Sequence, residues 1–312
     1  MTMNYIKLFR VKNLLMIALM QYIIRYGFLK LQNVGLALND WMFALLVLAT
    51  VLIAAAGYVI NDVYDIETDE INKPGKNQIG KTISEEMGFN IFIGLNIVAL
   101  IIGFYLSNKI MKTSFLGIFI ISSMLLYLYA TSWKKIAIVG NLIIALLTAF
   151  SVLIIGMFDI IPAIYSENEA LMKTLLSILF DYALFAFLVN FLREIVKDIE
   201  DINGDYNQGM NTLPILIGTQ RTAKISSVFG LAIVCVLFWY INKNLMDNGL
   251  LIATIYGLIA LVAPLVFFSI KIWSAKIQKE FHLMSSLLKL VIFLGILFIL
   301  IINYNIFYNA KG

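Results

Sequence analysis

Cysteine and histidine are almost missing from this 312-residue sequence, with Cys235 and His282 the single representatives. One thiol per chain excludes an internal disulfide framework and a cysteine metal site. One imidazole excludes a histidine-cluster metal centre. Charge is scarce as well: 13% of residues are charged, 61% are hydrophobic and the mean hydropathy is +0.91. Soluble domains are roughly a quarter charged and about half apolar. The apolar excess therefore excludes a water-soluble enzyme, a secreted disulfide scaffold and a disordered chain. The apolar stretches are continuous rather than alternating, which argues against a membrane β-barrel. The expected fold is all-α, a polytopic membrane protein.

A bilayer core of roughly 30 Å asks for about 20 apolar residues per helix. On that scale nine spans are expected, near 13–30, 41–60, 89–107, 114–131, 137–158, 171–195, 222–241, 250–270 and 283–308. No linker or composition shift divides them, so 1–312 reads as one membrane domain. The first apolar run is too long for a signal peptide and lacks a small-residue cleavage site. With the N-terminus inside, fifteen Lys and Arg lie on the cytoplasmic side against six on the other. That asymmetry sets the orientation, an N-terminus and two long acidic loops facing the cytoplasm, in a cell's inner membrane.

Those two loops, 61–88 and 193–221, carry the chemistry. In the first, Asn61, Asp65 and Asp69 recur at i, i+4 and i+8, and Asp62 shares their side if the second helix continues through them. In the second, Asp198, Asp201 and Asp205 recur at i, i+3 and i+7, with Asn190 and Glu194 earlier on the same stripe. Stacked carboxylates repel, and a cation removes the conflict. Hard oxygen ligands suit Mg²⁺, which binds through a few carboxylates and bridges them to substrate phosphates. Ions so held neutralise charge on a departing diphosphate. A solvated acidic face has no need of matched spacing in two loops on one side. Neither loop has the glycine and terminal Glu of an EF-hand.

Asn61-Asp62-x-x-Asp65-x-x-x-Asp69, followed by Asn72-Lys73-Pro74, resembles the first signature of the UbiA-type intramembrane prenyltransferases. Lys197-Asp198-Ile199-Glu200-Asp201-Ile202-Asn203-Gly204-Asp205, with Gly209 and Thr212-Leu213-Pro214 behind it, is similar to the second. The resemblance implies nine helices around a cavity that opens sideways to lipid, beneath a cytoplasmic cap. It implies that Asn61, Asp62, Asp65, Asp69, Asp198, Asp201 and Asp205 hold a polyprenyl diphosphate through Mg²⁺, with Asp65, Asp198 and Lys134 catalytic. Ionisation of the allylic carbon–oxygen bond would give a carbocation for a nucleophilic acceptor to capture. Membrane lipids surround such an enzyme, and no nucleic-acid partner is expected.

Cationic and amide side chains add direct contacts to a diphosphate. Lys134 lies in Tyr129-Ala130-Thr131-Ser132-Trp133-Lys134-Lys135, a segment similar to the family's Tyr…Lys element. Asn61, Lys134, Arg193, Lys197 and Asn13 are the diphosphate-binding candidates. Arg193 and Lys197 can equally balance Glu194 and Asp198, and Lys134 and Lys135 can equally be topological anchors. Lys73 and Lys76 follow the first motif, and Lys76-Asn77 stands where many relatives carry an Arg-Pro pair, a change that leaves one charge but removes the planar fork of Arg. Arg25, inside the first span, costs roughly 2.5–3.5 kcal/mol on insertion scales. With Lys30 only about a turn beyond, Arg25 is expected to snorkel outward.

The strings Leu125-Leu126-Tyr127-Leu128-Tyr129, Val139-Gly140-Asn141 and Arg193-Glu194-Ile195-Val196-Lys197-Asp198 resemble the geranylgeranylglyceryl-phosphate branch. The implied chemistry is ether formation by a glycerol hydroxyl. The alternative is C-prenylation of an aromatic acid, hydroxybenzoate or dihydroxynaphthoate, in quinone synthesis. A transporter fits less well, since it would use charges along a path through the bilayer, and here the acids sit at one boundary.

Overall fold

Each of the nine apolar runs forms a helix in the computed structural model of the chain, which describes residues 6–72, 74 and 77–309. The spans are Val11–Gln32, Asp40–Tyr64, Glu85–Lys109, Thr113–Thr131, Val139–Ala163, Glu169–Glu200, Thr219–Met246, Leu251–Ser274 and Gln278–Asn309. No β-strand is present among the described residues, only two isolated bridges. Local chemistry marks the helix starts. Asn39 caps the second span by accepting from Met42 N at 2.8 Å, and Ser84 caps the third by accepting from Met87 N at 3.2 Å.

The sixth span is longer than its apolar run, reaching Glu200, so Lys197 and Asp198 are helical residues rather than loop residues. It also joins the two halves of the core. Leu175, Leu179 and Ala183 pack with the first five spans, whereas Val189, Leu192 and Val196 pack with the last three. The first and ninth spans touch each other, which closes the arrangement. One end of the bundle gathers the residues before the first span and the two acidic segments: Arg10 meets Asp62 at 2.6 Å, Asn211 N donates to Lys135 O at 2.8 Å, and Gln278 Nε2 to Glu200 O at 2.9 Å.

The opposite end holds a buried ion pair, and it corrects the expectation for Arg25. Arg25 is 1% exposed and does not snorkel. Its Nη1 pairs with Asp159, its Nη2 donates to Leu38 O at 2.6 Å, and its guanidinium lies over the Phe43 ring, 4.4 Å from the centroid. Asp159 is 0% exposed and also accepts from Leu38 N at 3.0 Å. It sits where the fifth span widens into a π-helical turn over Gly156–Ile160, the kind of local unwinding that re-aims a side chain. Pairing inside the protein replaces escape to the interface. Removing one partner of such a pair leaves an uncompensated buried charge. Asp159→Ala should therefore destabilise the detergent-solubilised protein by about 3–5 kcal/mol, and denaturant unfolding should show Arg25→Leu/Asp159→Leu to be less damaged than the single variant.

Candidate functional site

Both acidic motifs are built the same way, as a long helix that breaks at an aspartate. The second span stops at Tyr64, Asp65 takes φ −108° and ψ 12°, and a short helix follows over Ile66–Asn72. The sixth span stops at Glu200, Asp201 takes φ −96° and ψ 7°, and a short helix follows over Ile202–Asn207. The second helix does not continue unbroken through the first motif, yet Asn61, Asp65 and Asp69 still line one chamber.

Asn72 ties the two short helices together. Its Nδ2 donates to Asp201 O and its Oδ1 accepts from Gly204 N, each at 2.8 Å. Gly204 is needed at that contact, because a Cβ there would lie 2.4 Å from Asn72 Nδ2. Gln208 Nε2 adds a bond to Glu67 Oε2 at 2.9 Å.

Beneath this cap lies a polar chamber of about 520 Å³. Asn61, Asp62, Asp65 and Asp69 line it from one side, and Asp198, Asp201 and Asp205 from the other. Lys134 reaches in from the turn after the fourth span, and its Nζ lies 2.5 Å from Asp65 Oδ1. Asn61 Nδ2 donates to Asp65 Oδ2 at 2.5 Å, so both carboxylate oxygens of Asp65 are engaged. Asp198 accepts from Asn141 Nδ2 at 2.8 Å. Asn77 Nδ2 donates to Asp62 O at 2.8 Å and to Asp69 Oδ2 at 3.2 Å. Glu194 accepts from Arg193 Nη1 and from Lys197 Nζ, both at 2.9 Å.

Arg10 enters the chamber as well, a residue that sequence reading counted only as a positive charge near the membrane. Its guanidinium pairs with Asp62 and lies 4.9 Å from the Tyr58 ring centroid. Its backbone occupies the left-handed region at φ 49°, uncommon for a residue with a side chain. Burial works against the Arg10 charge, but Asp62, then Tyr58, Asp69 and Asp65, outweigh it and hold the guanidinium above its ordinary pKa. Asn77 was likewise missed, and Asn72 and Asn141, though within the family-like strings, were given no role, because the partner of a neutral amide cannot be read from one sequence. Lys73 and Lys76 lie outside the described residues.

Among the described residues, seven carboxylates line the chamber against four cations, Lys7, Arg10, Lys134 and Lys197. A diphosphate alone would be repelled by that excess. Among the described residues no three carboxylates meet closely enough to hold a cation unaided. Asn61 Oδ1 is buried with no hydrogen-bond partner, an oxygen ready to serve as a ligand. All-oxygen donors, spread rather than caged, fit Mg²⁺, which takes one or two carboxylates together with substrate phosphates.

Two apolar cavities lead inward from this chamber. The nearer, about 300 Å³, shares Arg10, Asn61, Tyr129, Glu194 and Lys197 with the chamber and is walled by Ile53, Phe119, Leu126 and Leu147. The second, about 170 Å³, shares Asn13, Ile17, Tyr58, Asn190 and Arg193 with the nearer one and is walled by Met20, Phe185 and Ile292. Asn13 and Arg193 thus line the inner cavities and not the acidic chamber, whereas Asn61, Lys134 and Lys197 do line the chamber.

A family model described as "UbiA prenyltransferase family" matches residues 31–297. The chain belongs to the UbiA prenyltransferase family. It is an integral membrane protein. A digeranylgeranylglyceryl phosphate synthase of Saccharolobus solfataricus is 36% identical over 251 residues, 80% of this chain and 82% of that one. The corresponding synthase of Sulfolobus acidocaldarius is 38% identical over 194 residues, 60% of this chain and 62% of that one. A solved structure described as a digeranylgeranylglyceryl phosphate synthase in membranes superposes with TM-score 0.64 at 25% identity, covering 97% of this chain and 98% of that one. A UbiA homologue of Archaeoglobus fulgidus, bound to DMAPP and Mg²⁺, shares the fold with TM-score 0.55 at 15% identity over 95% of this chain and 99% of that one.

The UbiA cap depends on the Asn72 bridge, whose two hydrogen bonds together contribute on the order of 1–3 kcal/mol. Asn72→Ala should accelerate amide hydrogen exchange across 202–208 about tenfold, read by mass spectrometry, while exchange in the second and sixth spans stays at the wild-type rate.

Proposed function

We propose that this protein transfers a prenyl group from a prenyl diphosphate to the free hydroxyl of geranylgeranylglyceryl phosphate, forming an ether. The observation that carries this reading is the joining of an acidic chamber to two apolar cavities, since a donor and an acceptor that both bear prenyl chains need two lipid-like spaces. Relatives named digeranylgeranylglyceryl phosphate synthase support it. An aromatic acid would leave the second cavity without a use.

In the reaction the allylic carbon–oxygen bond breaks and its electron pair leaves with the diphosphate. The acceptor hydroxyl oxygen bonds to that carbon, and its proton passes to the released diphosphate. Mg²⁺, when bound, supplies positive charge to the leaving group. Asn61, Asp62, Asp65, Asp69, Asp198, Asp201 and Asp205 are the residues that would hold it. Lys134, held by Asp65, and Lys197, held by Glu194, present ammonium groups to the phosphate oxygens. Asn61 and Asn141 fix the carboxylates of Asp65 and Asp198 without cancelling their charge. The apolar walls exclude water from the allylic centre, which would otherwise be hydrolysed. The whole chain acts as one domain, with its N-terminus and cap facing the cytoplasm from the inner membrane, in keeping with the fifteen-to-six distribution of Lys and Arg.

Purified protein given geranylgeranyl diphosphate and Mg²⁺ should prenylate geranylgeranylglyceryl phosphate and leave hydroxybenzoate and dihydroxynaphthoate untouched. Transfer to an aromatic acid alone would overturn the assignment. Asp65→Ala and Asp198→Ala should each lower turnover about a hundredfold or more while still inserting in the membrane. EDTA should abolish transfer, and added Mg²⁺ should restore it.

A further inference from the structure

A cationic cluster at the second inner cavity has no part in the chemistry above. Lys289 stands well inside the ninth span, and its Nζ donates to Asn13 Oδ1 at 2.5 Å, a neutral partner. Among the described residues it makes no ion pair, in contrast to Arg10, Arg25, Lys134, Arg193 and Lys197. The charged groups it feels most are Arg193 and Lys12, both cations. Arg193 does not relieve this, because its one carboxylate, Glu194, is shared with Lys197. The Arg193 Nε is in addition buried with no hydrogen-bond partner. Asn13, Arg193 and Lys289 all line the second cavity.

An unbalanced ammonium at membrane depth marks a functional position, and positive charge beside an open donor calls for an anion. We propose that Asn13, Arg193 and Lys289 form the subsite for the phosphate monoester of the acceptor lipid, apart from the acidic chamber that takes the donor's diphosphate. The inference rests on the acceptor assigned above, and it moves Asn13 and Arg193 from the donor to the acceptor. Lys289 and Arg193 offer the charge that a phosphate dianion needs, with N–H donors in the geometry that Arg supplies to phosphate. The apolar wall formed by Met20, Phe185 and Ile292 lies in the same cavity and suits the acceptor's prenyl chain. In geranylgeranylglyceryl phosphate the free hydroxyl is on the carbon next to the phosphorylated one. A phosphate pinned at Arg193 therefore keeps that hydroxyl close to Glu194 and Lys197, which border both the nearer cavity and the chamber.

The test uses the full chain in detergent. Binding of geranylgeranylglyceryl phosphate and of geranylgeranylglycerol, which lacks the phosphate, is measured by calorimetry in EDTA, where no turnover occurs. Wild-type protein should bind the phosphorylated lipid at least tenfold more tightly. Lys289→Met should abolish that preference while its affinity for geranylgeranylglycerol stays within twofold of wild type, and Lys289→Arg should retain most of it. In turnover assays Lys289→Met should raise KM for the phosphorylated acceptor about tenfold and leave KM for geranylgeranyl diphosphate within twofold. An unchanged preference in Lys289→Met, or an equal loss of affinity for both lipids, would overturn the subsite. A wild-type enzyme that binds the phosphorylated lipid selectively but never prenylates it would instead overturn the assigned reaction and leave the subsite standing.

Discussion

Carboxylates at the edge of a bilayer lose hydration and repel their neighbours, and this cost organises the whole acidic end of the molecule. Asp62 is met by Arg10, Asp65 by Lys134 and Asn61, Asp198 by Asn141, and Glu194 by Arg193 and Lys197. The partners come from before the first span and from the second, fifth and sixth spans and the turn after the fourth. Satisfying the acids therefore fixes those elements against one another. The helix breaks at Asp65 and Asp201 follow from the same demand. The short helices that follow the two breaks carry Asp69 and Asp205 to the chamber, and Asn72 joins them there.

At the other end the same cost is met by a different device. Arg25 and Asp159 are sealed from solvent against Leu38 and Phe43. A charge pair of this kind adds little net stability compared with apolar side chains of equal volume, but it penalises every packing in which the two do not meet. It thus specifies how the first and fifth spans align, and those spans carry Asn13 and Asn141 at their far ends.

The sequence was most readable where one local property decided the outcome. Apolar run length fixed the nine spans, because each helix must satisfy its own backbone in lipid. Aspartate spacing pointed to both motifs, because residues a turn apart share a face. Spacing could not show the break at Asp65, where the helix ends, since nothing local distinguishes a helix that continues from one that stops and restarts. Arg25 was misread for a related reason. Its partner Asp159 is 134 residues away, and Lys30 offered a nearer and equally plausible exit. The roles of the Asn side chains and of Arg10 were invisible because they lie in contacts that reach across as many as 132 residues.

Amides share with cations the task of holding the carboxylates, and this has a chemical consequence. Asn61, Asn77 and Asn141 order Asp65, Asp69 and Asp198 through hydrogen bonds that bring no positive charge of their own, and Asp65 meets Lys134 as well. Among the described residues the chamber is lined by more carboxylates than cations, an excess that favours a diphosphate arriving in company with metal. Around Asn13, Arg193 and Lys289 the balance is reversed, and a phosphate monoester needs no metal there. Opposite charge at the two ends of one connected cavity system lets the enzyme tell two phosphorylated lipids apart. Both carry a prenyl chain, so the apolar walls alone could not do so; the headgroup that requires metal is directed to the chamber, and the headgroup that does not is held below it.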